Sequence, residues 1–244
     1  MTTPDQPAPE PQAAGFEVFG TWRVPAPGHR QAADVIAAAW RTRPWPAPHL
    51  LSLQVLTSAD ADADSGGGSG GGSGGRVLVL HSRWTSENAC RSTSLDQDWK
   101  RQVDAQVPGI QRTGVIGAAP YRSARHAAAE PGCVVLVTRR LCGPDPARAR
   151  RLVDALFTGA ACTPPAPGLL QARFLISPDG ACVLNHAHWT SAAAHHAAIT
   201  DVPPGLTGDP HWRQAHTWPG LASTTFQRLD PALVLHNPHP PTPT

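Results

Sequence analysis

This chain has almost no charge imbalance and almost no lysine. Twenty basic residues face 18 acidic ones, for a net charge of +2, and Lys100 is the single lysine. With no basic stripe there is no electrostatic footprint for a nucleic-acid backbone, so nucleic acid is excluded as a partner. No apolar run approaches the ~18 residues that a membrane-crossing helix needs, and the first residues lack the basic, apolar and small segments of a secretion signal. The five cysteines (Cys90, Cys133, Cys142, Cys162, Cys182) form no CxxC. An odd number without ligand spacing predicts reduced thiols in a soluble cytoplasmic protein, not a disulfide framework or a zinc site. There is no phosphate-binding GxxxxGK[ST] and no strand-borne GxGxxG. The GxSxG pattern occurs only inside the Gly/Ser run 65–75, where low complexity predicts a flexible loop, not a nucleophile elbow.

What the chain does have is a repeat. His81-Ser82-Arg83-Trp84-Thr85-Ser86 returns as His186-Ala187-His188-Trp189-Thr190-Ser191. His49-Leu50-Leu51 answers Gly168-Leu169-Leu170, Trp99 answers Trp212, Val107-Pro108-Gly109-Ile110 answers Trp218-Pro219-Gly220-Leu221, and Pro120 answers Pro231. Matches in this order at a nearly constant offset predict two copies of one fold in tandem. The units run over 16–127 and 131–236, with Pro-rich tails at 1–15 and 237–244 that have little to bury.

Each unit reads strand, helix, strand, strand, helix, strand. In the first, Phe16–Val24, Leu50–Leu56, Val77–Trp84 and Ile110–Ile116 are strands. Gln31–Arg41 carries a helical apolar stripe, and a second helix starts near Ser86. In the second, Cys133–Arg140, Leu169–Ile176, Cys182–Trp189 and Leu221–Leu229 are strands, with helices at Pro146–Phe157 and Ser191–Ile199. The βαββαβ order is that of an α+β, ferredoxin-like unit with its helices on one face of an antiparallel sheet. The bare faces of two such sheets can pack together as a barrel-like pair. In this chain the pair is internal, a pseudo-dimer that can associate further as a homodimer.

Strand alternation puts Asn185, Ala187 and Trp189 on one face and His186 and His188 on the other. An unpartnered buried amide costs roughly 1–3 kcal/mol, so Asn185 either bonds local backbone or serves as a donor beside an aromatic wall. His195, six residues past Trp189, is either a surface histidine among alanines or a base near neutral pH. His186 and His188 have a metal-ligand spacing but no carboxylate nearby. His81 and His186, at equivalent positions, are expected to make structural hydrogen bonds between the sheets, and no metal site is expected. Trp40, Trp99 and Trp212 sit at core positions of helices.

The tandem βαββαβ units, with strands ending in Trp84-Thr85-Ser86 and Trp189-Thr190-Ser191 and a helix after each, resemble the antibiotic biosynthesis monooxygenase family of dimeric α/β barrels. In its quinone-forming members an Asn and a Trp four residues later line the pocket, and Asn185 with Trp189 fits that spacing; Leu80 with Trp84 does not. The resemblance therefore implies catalysis in the second copy, by Asn185, Trp189 and His195. Trp84 and Arg228, the latter at the family's last-strand arginine, would contact substrate. Neither first strand supplies the family's further Asn. The two-copy length is also similar to oxygenases that open angucycline-type rings. What the resemblance implies is an oxygenase that converts a polycyclic aromatic polyketide to a quinone or a ring-opened product. It would use O2 with no bound cofactor, or draw on reduced flavin from a separate flavin reductase. The alternatives are a non-redox cyclase or isomerase of the same fold, or a binding or assembly protein.

Overall fold

In a computed structural model the protein is described over residues 15–25, 28–46, 48–58, 76–93, 98–161, 164–200 and 217–238. The Gly/Ser run 65–75, Cys162, His211, Trp212 and most of both tails lie outside these residues. The described elements follow as β1 (Phe16–Val24), α1 (His29–Arg41), β2 (Leu50–Ser58), β3 (Arg76–Trp84), α2 (Glu87–Ser92), α3 (Asp98–Gln106), β4 (Gln111–Arg125), β5 (Cys133–Leu141), α4 (Pro146–Ala161), β6 (Leu169–Ile176), β7 (Cys182–Trp189), α5 (Ala192–Thr200) and β8 (Leu221–His236). The second helix of the first unit is thus two short ones, α2 and α3.

All eight strands close into one antiparallel barrel in the order β1-β3-β2-β8-β5-β7-β6-β4. Closure leaves no open edge among the described strands. The last strand of each unit makes it possible, and both are longer than the sequence suggests. β4 pairs with β1 of its own unit up to Ala118, then with β6 of the other unit from Ala119. β8 pairs with β5 up to Leu229, then with β2 of the other unit to His236. Pro120 and Pro231, the repeated prolines, sit just past these two switch points, beside register shifts in the ladder. A proline has no N–H to give to a ladder, so a shift in pairing is where a strand can carry one. Asn237 remains attached at the end of β8, its N–H donating to Leu51 O at 2.9 Å.

The repeated Trp-Thr-Ser phrase makes the turn from strand to helix. Thr85 and Thr190 donate their N–H to His49 O and Gly168 O, both at 2.9 Å. Ser86 Oγ then accepts from Ala89 N at 3.1 Å and Ser191 Oγ from Ala194 N at 3.0 Å, capping α2 and α5. Such caps satisfy a helix donor that would otherwise have no partner.

Helices pack on part of the outer face. α1 buries Ala32, Val35, Ile36, Ala39 and Trp40, and α4 buries Ala149, Leu152, Val153 and Leu156 against Phe174, Ile176 and Val183. Trp40 and Trp99 lie in the first unit's core as expected, beside Trp22 and Trp45. The lumen is apolar around Phe19, Leu56, Val79, Leu136, Leu175, Leu184 and Leu229. It also holds a polar group. Glu17, fully buried, accepts from His81 Nε2 at 2.8 Å and pairs with Arg173 of the second unit, with Arg83 at 3.8 Å. His81 and His186 face each other here, as alternation predicts, with ring centroids 4.9 Å apart. The hydrogen bonds expected of them form at His81 only, because neither His186 nitrogen has a partner among the described residues.

Candidate active site

The helix-facing side of the second sheet is built row by row from strand register. Phe226, Val137, Asn185 and Phe174 form one row across β8, β5, β7 and β6. Arg228, Val135, Ala187 and Ala172 form the next, and Cys133 with Trp189 the third. Helix α5 lies over this face and turns His195 inward and His196 outward. The segment is alanine-rich and shows no apolar stripe, so the inward choice is made by the Ser191 cap and by the ring's neighbours. His195 packs edge-on against Trp189 at 5.0 Å and against Phe226 at 5.7 Å between centroids.

Arg228 Nε donates to His195 Nδ1 at 2.9 Å, and its guanidinium lies 5.2 Å from the Phe226 ring centre. A guanidinium N–H can only donate, so Nδ1 is the acceptor, and the neutral ring carries its proton on Nε2. In this geometry Nδ1 is occupied as an acceptor and the N–H of the neutral ring is at Nε2. The Oδ1 of Asn185 and the Nε1 of Trp189 are buried with no hydrogen-bond partner among the described residues, so the local backbone bond considered for Asn185 does not satisfy its oxygen.

Four of the five residues singled out from sequence therefore share one face: Asn185, Trp189, His195 and Arg228. Trp84 does not join them. It lies across the barrel in the first unit's core, only 2 % exposed, with its indole N–H donated to Ser82 Oγ at 2.9 Å. Nor does Tyr121, which bonds Asp154 at 3.2 Å on another part of the surface. Two shallow surface concavities, of about 310 Å³ beside Gln31 and Val107 and 190 Å³ beside Arg148 and Trp218, contain none of these residues.

Sequence reasoning passed over Arg139. It follows Val135 and Val137 at two-residue spacing on β5 and so points to this same face, yet is only 6 % exposed. Its Nη1 has no hydrogen-bond partner among the described residues, and burial pushes the guanidinium down to about 10. Strand parity in an apolar strand is the signal that could have found it.

The first unit lacks this chemistry at the matching positions. Register places Leu80 where the second unit has Asn185, Gly117 where it has Arg228, and Trp22 where it has Arg139. Cys90 stands six residues after Trp84, as His195 does after Trp189. A side chain at Gly117 would strike Phe16 Cζ at 2.6 Å, so the arginine's place is filled by a ring.

No protein-family model matches the chain, and no functionally curated protein does either. Solved structures do match its fold. An anthrone oxidase-like protein superposes with a TM-score of 0.63 at 12% identity, over 93% of this chain and 95% of that one. A provisionally assigned monooxygenase from Fusobacterium nucleatum gives 0.55 at 8% identity, over 92% and 95%. A dye-decolorizing peroxidase from Bacteroides thetaiotaomicron gives 0.51 at 9%, over 90% and 94%. The chain thus shares its fold with an anthrone oxidase-like protein, a provisionally assigned monooxygenase and a peroxidase. The frame also serves a peroxidase, so its side chains must carry any argument about function. No described helix is long and apolar enough to cross a membrane.

Proposed function

We propose that the protein is an oxygenase acting on a polycyclic aromatic, polyketide-type substrate, with one site per chain, in the second unit. The observation that carries this is the convergence of Trp189, His195, Arg228 and Asn185 on one sheet face whose counterpart in the first unit is apolar. The fold shared with an anthrone oxidase-like protein supports the substrate class.

The chemistry starts from an acidic phenol or anthrone, bound on this face as its anion. The anion passes an electron to O2, and the radical and superoxide combine to a peroxide anion, which takes back the proton lost on ionisation to give a hydroperoxide. Loss of water leaves a carbonyl, so that one oxygen atom enters the product and the other leaves as water. Trp189 forms a flat wall. Asn185 and the Nε2–H of His195 donate to the oxygen on which charge develops, in a site dried by aromatic rings. No step calls for a resident metal. Reduced flavin from a partner reductase would supply a second route for activating O2.

The test is oxygen uptake by metal-stripped protein with a simple anthrone, with and without enzymatically reduced flavin. Uptake above autoxidation, with a quinone or ring-opened product, is expected. Asn185→Ala should lower turnover by roughly 10²–10³-fold if the amide is an oxyanion donor. No uptake in either condition, with larger polycyclic substrates included, would favour a cyclase or a binding protein.

A further inference from the structure

We infer that Arg139 is the anion-binding end of this site, and that it takes an aromatic ligand bearing an anionic oxygen beside a hydroxyl. The first part rests on what surrounds Arg139. Burying a charge without a partner costs several kcal/mol, and native proteins offset that cost with a counter-ion or hydrogen bonds. Among the described residues no carboxylate pairs with Arg139, and its sealed Nη1 has no acceptor. The fold does not need a cation here, because the first unit places Trp22 at the matching position, 3 % exposed and stacked on Trp99.

The second part rests on Asn185. It stands opposite Val137, two residues from Arg139 on the neighbouring strand and on the same face. Diagonal neighbours of this kind have Cβ atoms roughly 7–8 Å apart, within reach of an arginine and an amide sharing one ligand. The Oδ1 of Asn185 lacks a donor just as Arg139 lacks an acceptor. An anionic oxygen flanked by O–H would satisfy both, with the ring system extending along the face toward Trp189. This deepens the oxygenase reading and relies on it for the ligand's polycyclic character, but the anion site stands on Arg139 alone.

Binding can be measured by calorimetry on the full chain without any turnover. The probes are 3-hydroxy-2-naphthoate as the carboxylate source and the monoanion of 1,2-dihydroxyanthraquinone as the phenolate source, whose 2-olate lies beside the 1-hydroxyl, each against its methyl ester or 2-methyl ether. Wild type should bind at least one anion about tenfold or more tighter than its neutral partner, and Arg139→Met should abolish that preference. Which anion binds identifies the oxygen. The same variant should melt no lower than wild type, because an uncompensated buried charge has been removed. An arginine with a purely structural role would give the opposite sign. The inference is overturned if neither anion binds, if ester and acid bind alike, or if Arg139→Met binds as wild type does. Anion binding without oxygen uptake from any anthrone would sink the oxygenase reading and leave this one standing.

Discussion

At the scale of single residues, the hydrogen bond from Arg228 to His195 has the clearest consequence. While Nδ1 accepts from a guanidinium, the neutral imidazole is fixed as the Nε2–H tautomer, which donates to whatever lies in front of it. Ring ¹⁵N shifts should therefore report Nε2–H in wild type and a mixture of tautomers in Arg228→Met. An unchanged spectrum would show that Arg228 does not set the ring. The unit-one counterpart of Asn185 offers a control. Leu80 is half-buried in an apolar core, so Leu80→Ala should cost about 2 kcal/mol in denaturant unfolding with turnover retained. Selective loss of turnover in a stable Leu80→Ala protein would move the site to the first unit.

Among the elements, α5 is the most dependent on its ends. Its alanine-rich sequence gives it no apolar stripe, so the Ser191 cap and the approach of Gly168 hold it in place. Gly168 has φ +87°, and a Cβ there would meet Ala194 Cβ at 2.7 Å. Ser191→Ala should cost about 1 kcal/mol and raise amide exchange in α5. It should also lower kcat/KM by displacing His195. The matching change at α2, Ser86→Ala, should cost a similar amount and leave kcat/KM alone. Equal loss of activity in both would mean the effect is global. At β4 and β8 the prolines mark where a strand leaves its own sheet. Local preference ends each strand near that point, and pairing with the other unit carries it on.

For the whole molecule, the ion cluster in the lumen ties the two units together and makes the barrel sensitive to acid. Burial alone would raise Glu17, but the His81 hydrogen bond and the Arg173 and Arg83 charges outweigh it and hold the carboxyl at about 2, against 4.5 when free. His81 is lowered from 6.5 by burial, with the arginines adding to the effect and Glu17 opposing it. His186 is lowered further, by burial and by His81, His188, Arg173 and Arg83 around it. The signs agree. Below 6.5 the unfolded histidines bind protons that the folded ones refuse, and below 4.5 the unfolded Glu17 does the same. Stability should be fully present above pH 6.5, fall as the pH drops below it, and fall more steeply below 4.5. Urea midpoints across this range check the profile, and His186→Phe should flatten the first decline. Glu17→Ala should cost roughly 3–5 kcal/mol, because it strands Arg173 without its partner. A loss below 1 kcal/mol would mean that the cluster is not a link between the units.

Features set by near neighbours were legible in the chain. The tandem repeat, the strands that alternate, the serine caps and the shared face of Asn185 and Trp189 all follow from short-range geometry repeated along the backbone. Parity also put His81 and His186 on the inner face. It could not say what they would meet, since Glu17 and Arg173 lie 156 residues apart. The second halves of β4 and β8 were hidden because their partners belong to the other unit, and a strand's end is set by whichever edge it finds. Parity places Arg139 on the helix-facing side, but the packing that seals it there was not legible in the chain. Burial of a charge is a property of the chain around it, so the anion site and the direction of His195 came from the closed barrel.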